Sequence, residues 1–346
     1  MRFTRRACIW LTLPLAAMVG SVTAAAANPK VVASFSILGD LVNKVGGNDI
    51  ELVVLTPVGA EVHEWELTPN NFIALEDADL VFYNGYQLEQ WMRQVYATVG
   101  NRAPLVPVAE ATEYPTRPIV TGEYTGEPDP HLWMDPRAVA AYMKVIADQL
   151  SELHPEAADN FQARAAAATE TLARLHEEIG ELLAPIPEEQ RLLITTEAAF
   201  VYFADAYGFR HDGVWGSNAE TEGSPQQVMR IVDLIEQSQP GALFWESTLS
   251  DRYIRSIAAD TELPIAGPLY VDSLSEPDGD ATNYVAMMRH NAKLIRTALT
   301  MGEAEEREAE ERDSEADAVE GEASPEGEDA EENEALEQDE DEAKDA

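Results

Sequence analysis

The feature that most constrains the fold is one long helical pattern in the middle of the chain, between His154 and Pro187. Apolar residues recur there at steps of three and four positions from Phe161 to Leu182, as on the buried face of a helix. Pro155 suits the first turn of such a helix, and Pro187 stops it. A helix of about 28 residues is about 42 Å long, which exceeds the usual crossover between two strands. We therefore expect a stiff helix that joins two separate lobes.

Strand-like and helix-like segments alternate on both sides of this helix. Before it, apolar runs such as "KVVASF", "IELVVL" and "DLVFYN" are each followed by a helical pattern, one of which starts at Pro69 behind a Thr68 cap. After it, "RLLITT", "FRHDGVW" and "GALFWES" alternate with helices in the same way. Such alternation indicates parallel sheets covered on both faces. The predicted fold class is α/β, with two lobes that each contain a mainly parallel sheet flanked by helices, joined by one long rigid interlobe helix.

The amino terminus predicts export. Three arginines precede the apolar run Ala7–Gly20, which is shorter than the ~20 residues that span a bilayer, and small residues follow it. We expect cleavage near Ala25–Ala27 and a periplasmic product; both general secretory and twin-arginine export stay open. The only cysteine, Cys8, lies at the start of the apolar run and not after it, so we expect no lipid anchor and, in the mature chain, no disulfide or thiolate site.

The charge is strongly negative and unevenly distributed. The net charge is −41, and residues 302–346 alone carry 23 acidic and 3 basic residues, a net of −20. Nucleic-acid binding needs basic patches, so no nucleic-acid partner is expected. The acidic tail has too few large apolar residues to build a core, and we interpret it as solubilising. The resulting segments are a signal peptide (1–27), an N-terminal lobe (28–153), the linking helix (154–187), a C-terminal lobe (188–301) and an acidic disordered tail (302–346).

Signatures of catalysis are missing from the sequence. It contains no G-x-S-x-G elbow, no P-loop and no G-x-G-x-x-G after a strand. The stretch "HEWEL" starts like the zinc-protease pattern H-E-x-x-H, but Leu67 occupies the position of the second histidine. We therefore expect a protein that is not an enzyme.

Four polar residues follow predicted strands and form the candidate site: His63, His131, Glu197 and Asp272. In open α/β sheets, ligands bind beyond the carboxyl ends of the strands. Two imidazoles and two carboxylates suit a divalent transition metal. Each residue taken singly also has a structural explanation, such as a loop hydrogen bond or a helix-terminal carboxylate, and spacing alone does not show that the four converge.

The chain resembles a known family, the solute-binding proteins of ABC transporters for manganese, zinc and iron (cluster A-I, solute-binding protein family 9). The resemblance covers about Val31–Leu299. It depends on "GAEVHEWELTP", "DPHLWMDP", "TTEAAFVYFADAYG", "NAETEGSPQQV", "FWESTLSDR" and "GPLYVDSLS", which are specific together and weak singly. It implies two α/β lobes joined by a long helix, a metal site between them, and delivery of the metal to an inner-membrane permease.

Residue by residue, the resemblance implies that His63, His131, Glu197 and Asp272 bind the metal. The third position is histidine in typical zinc importers and glutamate in typical manganese or iron importers. Two imidazoles and two carboxylates neutralise a divalent ion and favour higher coordination than tetrahedral zinc. We therefore expect Mn²⁺ as the transported ligand, with Zn²⁺ or Fe²⁺ as alternatives, and a monomeric protein.

Three further residues are candidates for supporting the ligands. Trp65 and Trp133 lie two residues past each histidine, where they pack the lobes or line the site, and Glu246 ends a strand where it could contact a histidine. The acids beside His63 are interpreted as solvated or structural. Two rival classes remain: a periplasmic metallohydrolase that uses the same residues, and a structural protein in which the metal only stabilises the lobes.

Overall fold

The computed structural model describes residues 27–122, 124–216 and 223–300. The predicted signal peptide up to residue 26, Cys8, the acidic tail, and Glu220 and Glu222 of the "NAETEG" motif lie outside these residues. Contacts divide the chain into two units. Unit 1 comprises the described residues up to Pro115, together with Pro136–Arg174 and Asp272–Glu276, and unit 2 comprises Thr116–Asp135, Leu175–Val271 and the described residues from Pro277 onward.

Unit 1 contains a sheet of four parallel strands, in the order β2-β1-β3-β4. The strands are β1 (Lys30–Ala33), β2 (Glu51–Val54), β3 (Leu80–Tyr83) and β4 (Leu105–Pro107). The helices that belong to this unit are α1 (Ser36–Gly46), α2 (Pro69–Glu76), α3 (Met92–Val99), α4 (Val108–Ala111), α5 (Pro136–Leu153) and the first part of α6 (Ala158–Leu183).

The central strands of unit 1 are buried on both faces, which explains their continuous apolar sequences. Val32, Val81 and Tyr83 pack with residues of α2 and α3 such as Leu75 and Val95. The alternate residues of the same strands are also buried, because helices cover the opposite face. Unit 1 therefore has the predicted alternation of strands and helices along the chain, with helices on both faces of a parallel sheet.

Two helix starts show how local sequence sets the structure. Helix α2 begins at Pro69, and the Thr68 side chain accepts from Asn71 N while the Asn71 side chain accepts from Thr68 N, so the predicted cap is confirmed. The helical pattern that follows "DLVFYN" is "QLEQWMRQVYATVG", which predicts a helix from Gln87 onward, but the helix begins later, at Met92. Tyr86 and Gln87 have φ of 49° and 62°, which is left-handed backbone that a right-handed helix excludes.

Unit 2 contains two pairs of parallel strands, β5-β6 and β7-β8. The strands are β5 (Leu192–Glu197), β6 (Arg210–Trp215), β7 (Leu243–Glu246) and β8 (Ile265–Leu269), and the helices are α7 (Val201–Tyr207), α8 (Pro225–Ser238) and α9 (Arg252–Thr261). Residues 284–300 are also helical. Ile194, Val214 and Leu243 pack with residues of α8 and α9 such as Ile231 and Ile254.

The long helix predicted from the sequence is α6, which has 26 residues and is about 39 Å long. Helix α5 was not predicted from the sequence, although its buried residues from Ala138 to Leu150 follow helical spacing. The predicted domain boundaries follow chain order, while the contact-based units do not, since the chain changes unit at 115, 135, 174, 271 and 276. Among the described residues, none of the helices combines the length and apolarity needed to cross a bilayer.

Candidate metal centre

His63 and Asp272, two of the predicted ligands, lie together in unit 1. His63 is 1% exposed and occupies the loop between β2 and α2, and its Nε2 is 3.9 Å from Oδ2 of Asp272. The loop turns at Gly59, whose φ of +80° suits glycine. The structure thus brings a buried imidazole and a buried carboxylate side by side.

The imidazole of His63 has a fixed orientation. Its Nδ1 is 3.1 Å from the carbonyl oxygen of Leu88. A carbonyl oxygen only accepts, so Nδ1 carries the proton and the lone pair is on Nε2, the nitrogen that faces Asp272. Metal-binding histidines are commonly oriented in this way, by a hydrogen bond from the ring nitrogen that does not bind the metal.

Glu61 stabilises the turn that carries His63. Its carboxylate accepts the backbone N–H groups of His63 at 2.8 Å and Glu64 at 2.9 Å. Burial raises the pKa of Glu61, and the nearby His63 opposes that shift. The contacts agree with the structural role that the sequence predicted for this acid, although Glu61 Oε1 is also 3.9 Å from His63 Nε2.

Ser273 holds the segment that carries Asp272. Its hydroxyl oxygen accepts from Gly59 N at 2.7 Å and is 3.2 Å from the hydroxyl of Ser36, at the start of α1. The Ser36 hydroxyl also accepts from Leu274 N. These contacts tie a segment that is more than 200 positions away in sequence to the loop of His63.

His131 and Glu197, the other two predicted ligands, lie together in unit 2. Both side chains are buried, and His131 Nε2 is 3.7 Å from Oε1 of Glu197. His131 Nδ1 is 3.0 Å from Oδ1 of Asp129, and the same oxygen accepts from His131 N at 2.9 Å. An ionised carboxylate only accepts, so Nδ1 donates and Nε2 faces Glu197.

Glu246 contacts the backbone next to the second carboxylate, Glu197. Glu197 is the last residue of β5, and its backbone N–H donates to Glu246 Oε1, while Thr196 N donates to Oε2, each at 3.1 Å. Burial raises the pKa of Glu246 to about 8. Support of a metal site by Glu246 stays a prediction, and the contacts that the structure shows are with the backbone that carries Glu197 and not with a histidine.

The two tryptophans differ in their surroundings. Trp133 is fully buried, lies edge-on to His131 with ring centroids 5.1 Å apart, and donates from Nε1 to the carbonyl of Val271. Trp65 is partly buried against the core of unit 1 and donates to Asn71 Oδ1. Trp133 therefore contacts a candidate ligand, whereas Trp65 packs the lobe.

Two partners of the histidines were not assigned a role from the sequence. One is the carbonyl of Leu88, which has no side-chain signature in the sequence. The other is Asp129, whose signal was its place two residues before His131 in "DPH", where a carboxylate reaches back to the following backbone.

The fold and these residues define a class of protein. Two α/β units with parallel sheets each bury an imidazole beside a carboxylate, in loops or at ends of strands where ligands bind in open sheets. Oxygen and nitrogen donors of this kind are typical of proteins that bind divalent transition metals.

Comparison with known proteins gives the family. A family model described as the periplasmic component A of the zinc-uptake complex (ZnuA) matches residues 31–298. The chain is 35% identical over 271 residues to the manganese-binding lipoprotein MntA of Halalkalibacterium halodurans, covering 78% of this chain and 88% of that protein. It is 33% identical over 300 residues to the iron-binding protein YfeA of Yersinia pestis, covering 85% and 96%. The chain belongs to this family of substrate-binding proteins of metal ABC transporters, which are not enzymes.

Solved structures agree with this membership. The periplasmic zinc-binding protein TroA of Treponema pallidum matches with a TM-score of 0.73 at 28% identity, covering 79% of this chain and 99% of that one. The manganese-bound periplasmic metal-binding protein of Candidatus Liberibacter asiaticus matches with a TM-score of 0.72 at 26% identity, covering 79% and 100%. The predicted α/β class and the predicted family are thereby confirmed. Several relatives are named lipoproteins, so the comparisons do not support the expectation that a lipid anchor is absent.

Proposed function

We propose that His63, Asp272, His131 and Glu197 together bind one Mn²⁺ ion in the periplasm, and that the chain, as a monomer, delivers this ion to the permease of an ABC transporter. The observation that carries the proposal is the matched pair in each unit. In both pairs the histidine donates from Nδ1 and presents Nε2 toward a carboxylate.

The donor set supports manganese over zinc. Two imidazoles and two carboxylates offer up to four oxygen donors when both carboxylates are bidentate, and their two negative charges balance a divalent ion. Structural zinc sites are mostly tetrahedral, whereas manganese accepts more oxygen ligands. A relative named for manganese supports this choice, and zinc and iron are the alternative cargoes because similar proteins are named for each of them.

The test combines metal analysis with competition titration. Protein purified from its native compartment should contain mainly manganese. Zn²⁺ will also bind in vitro, since intrinsic affinity rises from Mn²⁺ toward Cu²⁺. Native protein that carries zinc and binds no Mn²⁺ would contradict the proposal.

A substitution at Glu197 tests the role of the second carboxylate. Glu197→His gives three imidazoles and one carboxylate, and we expect the ratio of Mn²⁺ to Zn²⁺ affinity to fall at least about tenfold. Glu66→His is the matched control, because Glu66 is exposed and the change adds a histidine in the loop of His63 without altering either pair. An equal change of the ratio in both variants would remove the argument from Glu197.

A further inference from the structure

The loop that follows β3 has a strained backbone. Gly85, Tyr86 and Gln87 have successive φ values of 93°, 49° and 62°. Glycine adopts such values readily, but residues with a Cβ do so at a steric cost, and a turn of this kind persists only where its surroundings hold it. The turn leads directly to Leu88, whose carbonyl oxygen accepts from Nδ1 of His63.

One buried carboxylate holds this turn. Glu89 is 3% exposed. Its Oε1 accepts from Asn84 N and from the hydroxyl of Ser34, each at 2.7 Å, and its Oε2 accepts from Gly85 N at 3.3 Å. Ser34 follows β1 and Asn84 follows β3, so the carboxylate connects the ends of two neighbouring strands to the start of the turn. Burial raises the pKa of Glu89, and the hydrogen bonds from these three donors oppose that shift.

A second carboxylate contacts the middle of the turn from outside. Glu110 Oε1 accepts from Tyr86 N at 2.7 Å, and its side chain is exposed. An exposed hydrogen bond competes with water, so this contact contributes less than the buried ones of Glu89.

We propose that Glu89 is a positioning residue for metal binding, which holds the Leu88 carbonyl where it accepts the Nδ1 proton of His63. This inference depends on the proposed function, in which His63 Nε2 binds the metal. The acceptor at Nδ1 selects the tautomer and fixes the ring, as outer partners of metal-binding histidines generally do. Glu89 thus acts on the ligand through the backbone of residues 84–88 and without touching the metal.

The test compares Glu89→Gln with the wild-type chain in two measurements. Glutamine keeps the size of the Glu89 side chain but removes its negative charge. It also replaces one accepting oxygen with an N–H₂ group, which faces a backbone N–H and cannot accept from it. In the metal-free chain, ¹⁵N NMR of the His63 ring should show the Nδ1–H tautomer in wild type and a mixture of tautomers in the variant. Mn²⁺ affinity, measured by competition with a chelator, should fall about 10- to 100-fold.

A matched control comes from unit 2. Glu246→Gln removes a buried carboxylate that also accepts two successive backbone N–H groups, but it acts on Glu197. We expect the His63 resonances to be unchanged in that variant, whatever its metal affinity.

A rescue variant separates positioning from a general loss of stability. Gln87 is exposed with φ of 62°, and glycine adopts this conformation without steric cost. Adding Gln87→Gly to Glu89→Gln should therefore restore part of the tautomer preference and of the affinity. If Glu89→Gln does not fold, Ser34→Ala is the substitute, because it removes one donor to Glu89. It should change the tautomer and the affinity in the same direction, with a loss of affinity below about tenfold.

Two results would overturn the inference while the proposed function stands. The first is wild-type tautomer and affinity in Glu89→Gln, and the second is an equal change of the His63 resonances in Glu246→Gln. A wild-type chain that binds no Mn²⁺ or Zn²⁺ would instead overturn the proposed function and this inference together.

Discussion

The two histidine–carboxylate pairs have the same chemistry but different support. In unit 1, Nδ1 of His63 donates to a backbone carbonyl, and Asp272 arrives on a short segment that is fixed by the hydroxyl of Ser273. In unit 2, Nδ1 of His131 donates to the carboxylate of Asp129, and Glu197 ends a strand. Both solutions give one tautomer, with Nε2 toward the carboxylate.

This difference shows which parts of a site can vary. The first pair depends on a loop conformation, because a carbonyl is only as well placed as its backbone. The second pair depends on side chains, because Asp129 is itself buried and its backbone carbonyl accepts from the hydroxyl of Tyr202. A backbone carbonyl and a carboxylate therefore both serve as the acceptor that makes Nδ1 the donor.

Removal of either imidazole should cause the largest loss of Mn²⁺ affinity. His63→Ala and His131→Ala should each lower Mn²⁺ affinity by more than about 100-fold, beyond the 10- to 100-fold range of outer partners. Competition titration measures this loss, and His154→Ala is the control because His154 is not among the candidate ligands. Loss in only one of the two variants would mean that a single pair is sufficient.

A lower pH should weaken metal binding through both histidines. A histidine coordinates only when it is neutral, and its ordinary pKa is about 6.5, so metal binding competes with two protons. Mn²⁺ affinity should therefore fall as the pH is lowered from 7.5 to 5.5, and the slope of each single histidine variant should be one proton smaller than that of wild type. If the pH dependence of Mn²⁺ affinity showed that wild type releases only one proton on binding, the two pairs would not be equivalent.

Asp129→Asn sharpens the contrast between the two kinds of support. Asparagine keeps an oxygen that can accept from His131, but it removes the charge that strengthens the bond and can also present N–H₂. We expect about a tenfold loss of Mn²⁺ affinity, with His131 NMR resonances changed and those of His63 unchanged. An equal change in both histidines would show that the two pairs do not respond independently.

Particular residues show how far the sequence predicted this molecule. Strand and helix positions followed from apolar patterns and from signals such as the Thr68 cap, because these are local properties of the chain. The four candidate ligands followed from their places after strands and from the resemblance. The grouping of Asp272 with unit 1 was not predictable, since it depends on a serine contact more than 200 positions away in sequence. The late start of α3 was missed because nothing in the sequence "GYQLE" predicts left-handed backbone at Tyr86 and Gln87.

The two tryptophans should give the smallest effects and separate packing from ligand support. Trp133→Phe keeps a buried ring but leaves the carbonyl of Val271 without its donor, so the free energy of unfolding should fall by about 1–3 kcal/mol. Trp65→Phe removes a hydrogen bond at a partly buried ring and should cost about 1 kcal/mol or less. Urea unfolding measures both, and Mn²⁺ affinity should be nearly unchanged for Trp65→Phe. A larger loss of affinity for Trp65→Phe than for Trp133→Phe would reverse the assignment, because only Trp133 contacts a candidate ligand in the described structure.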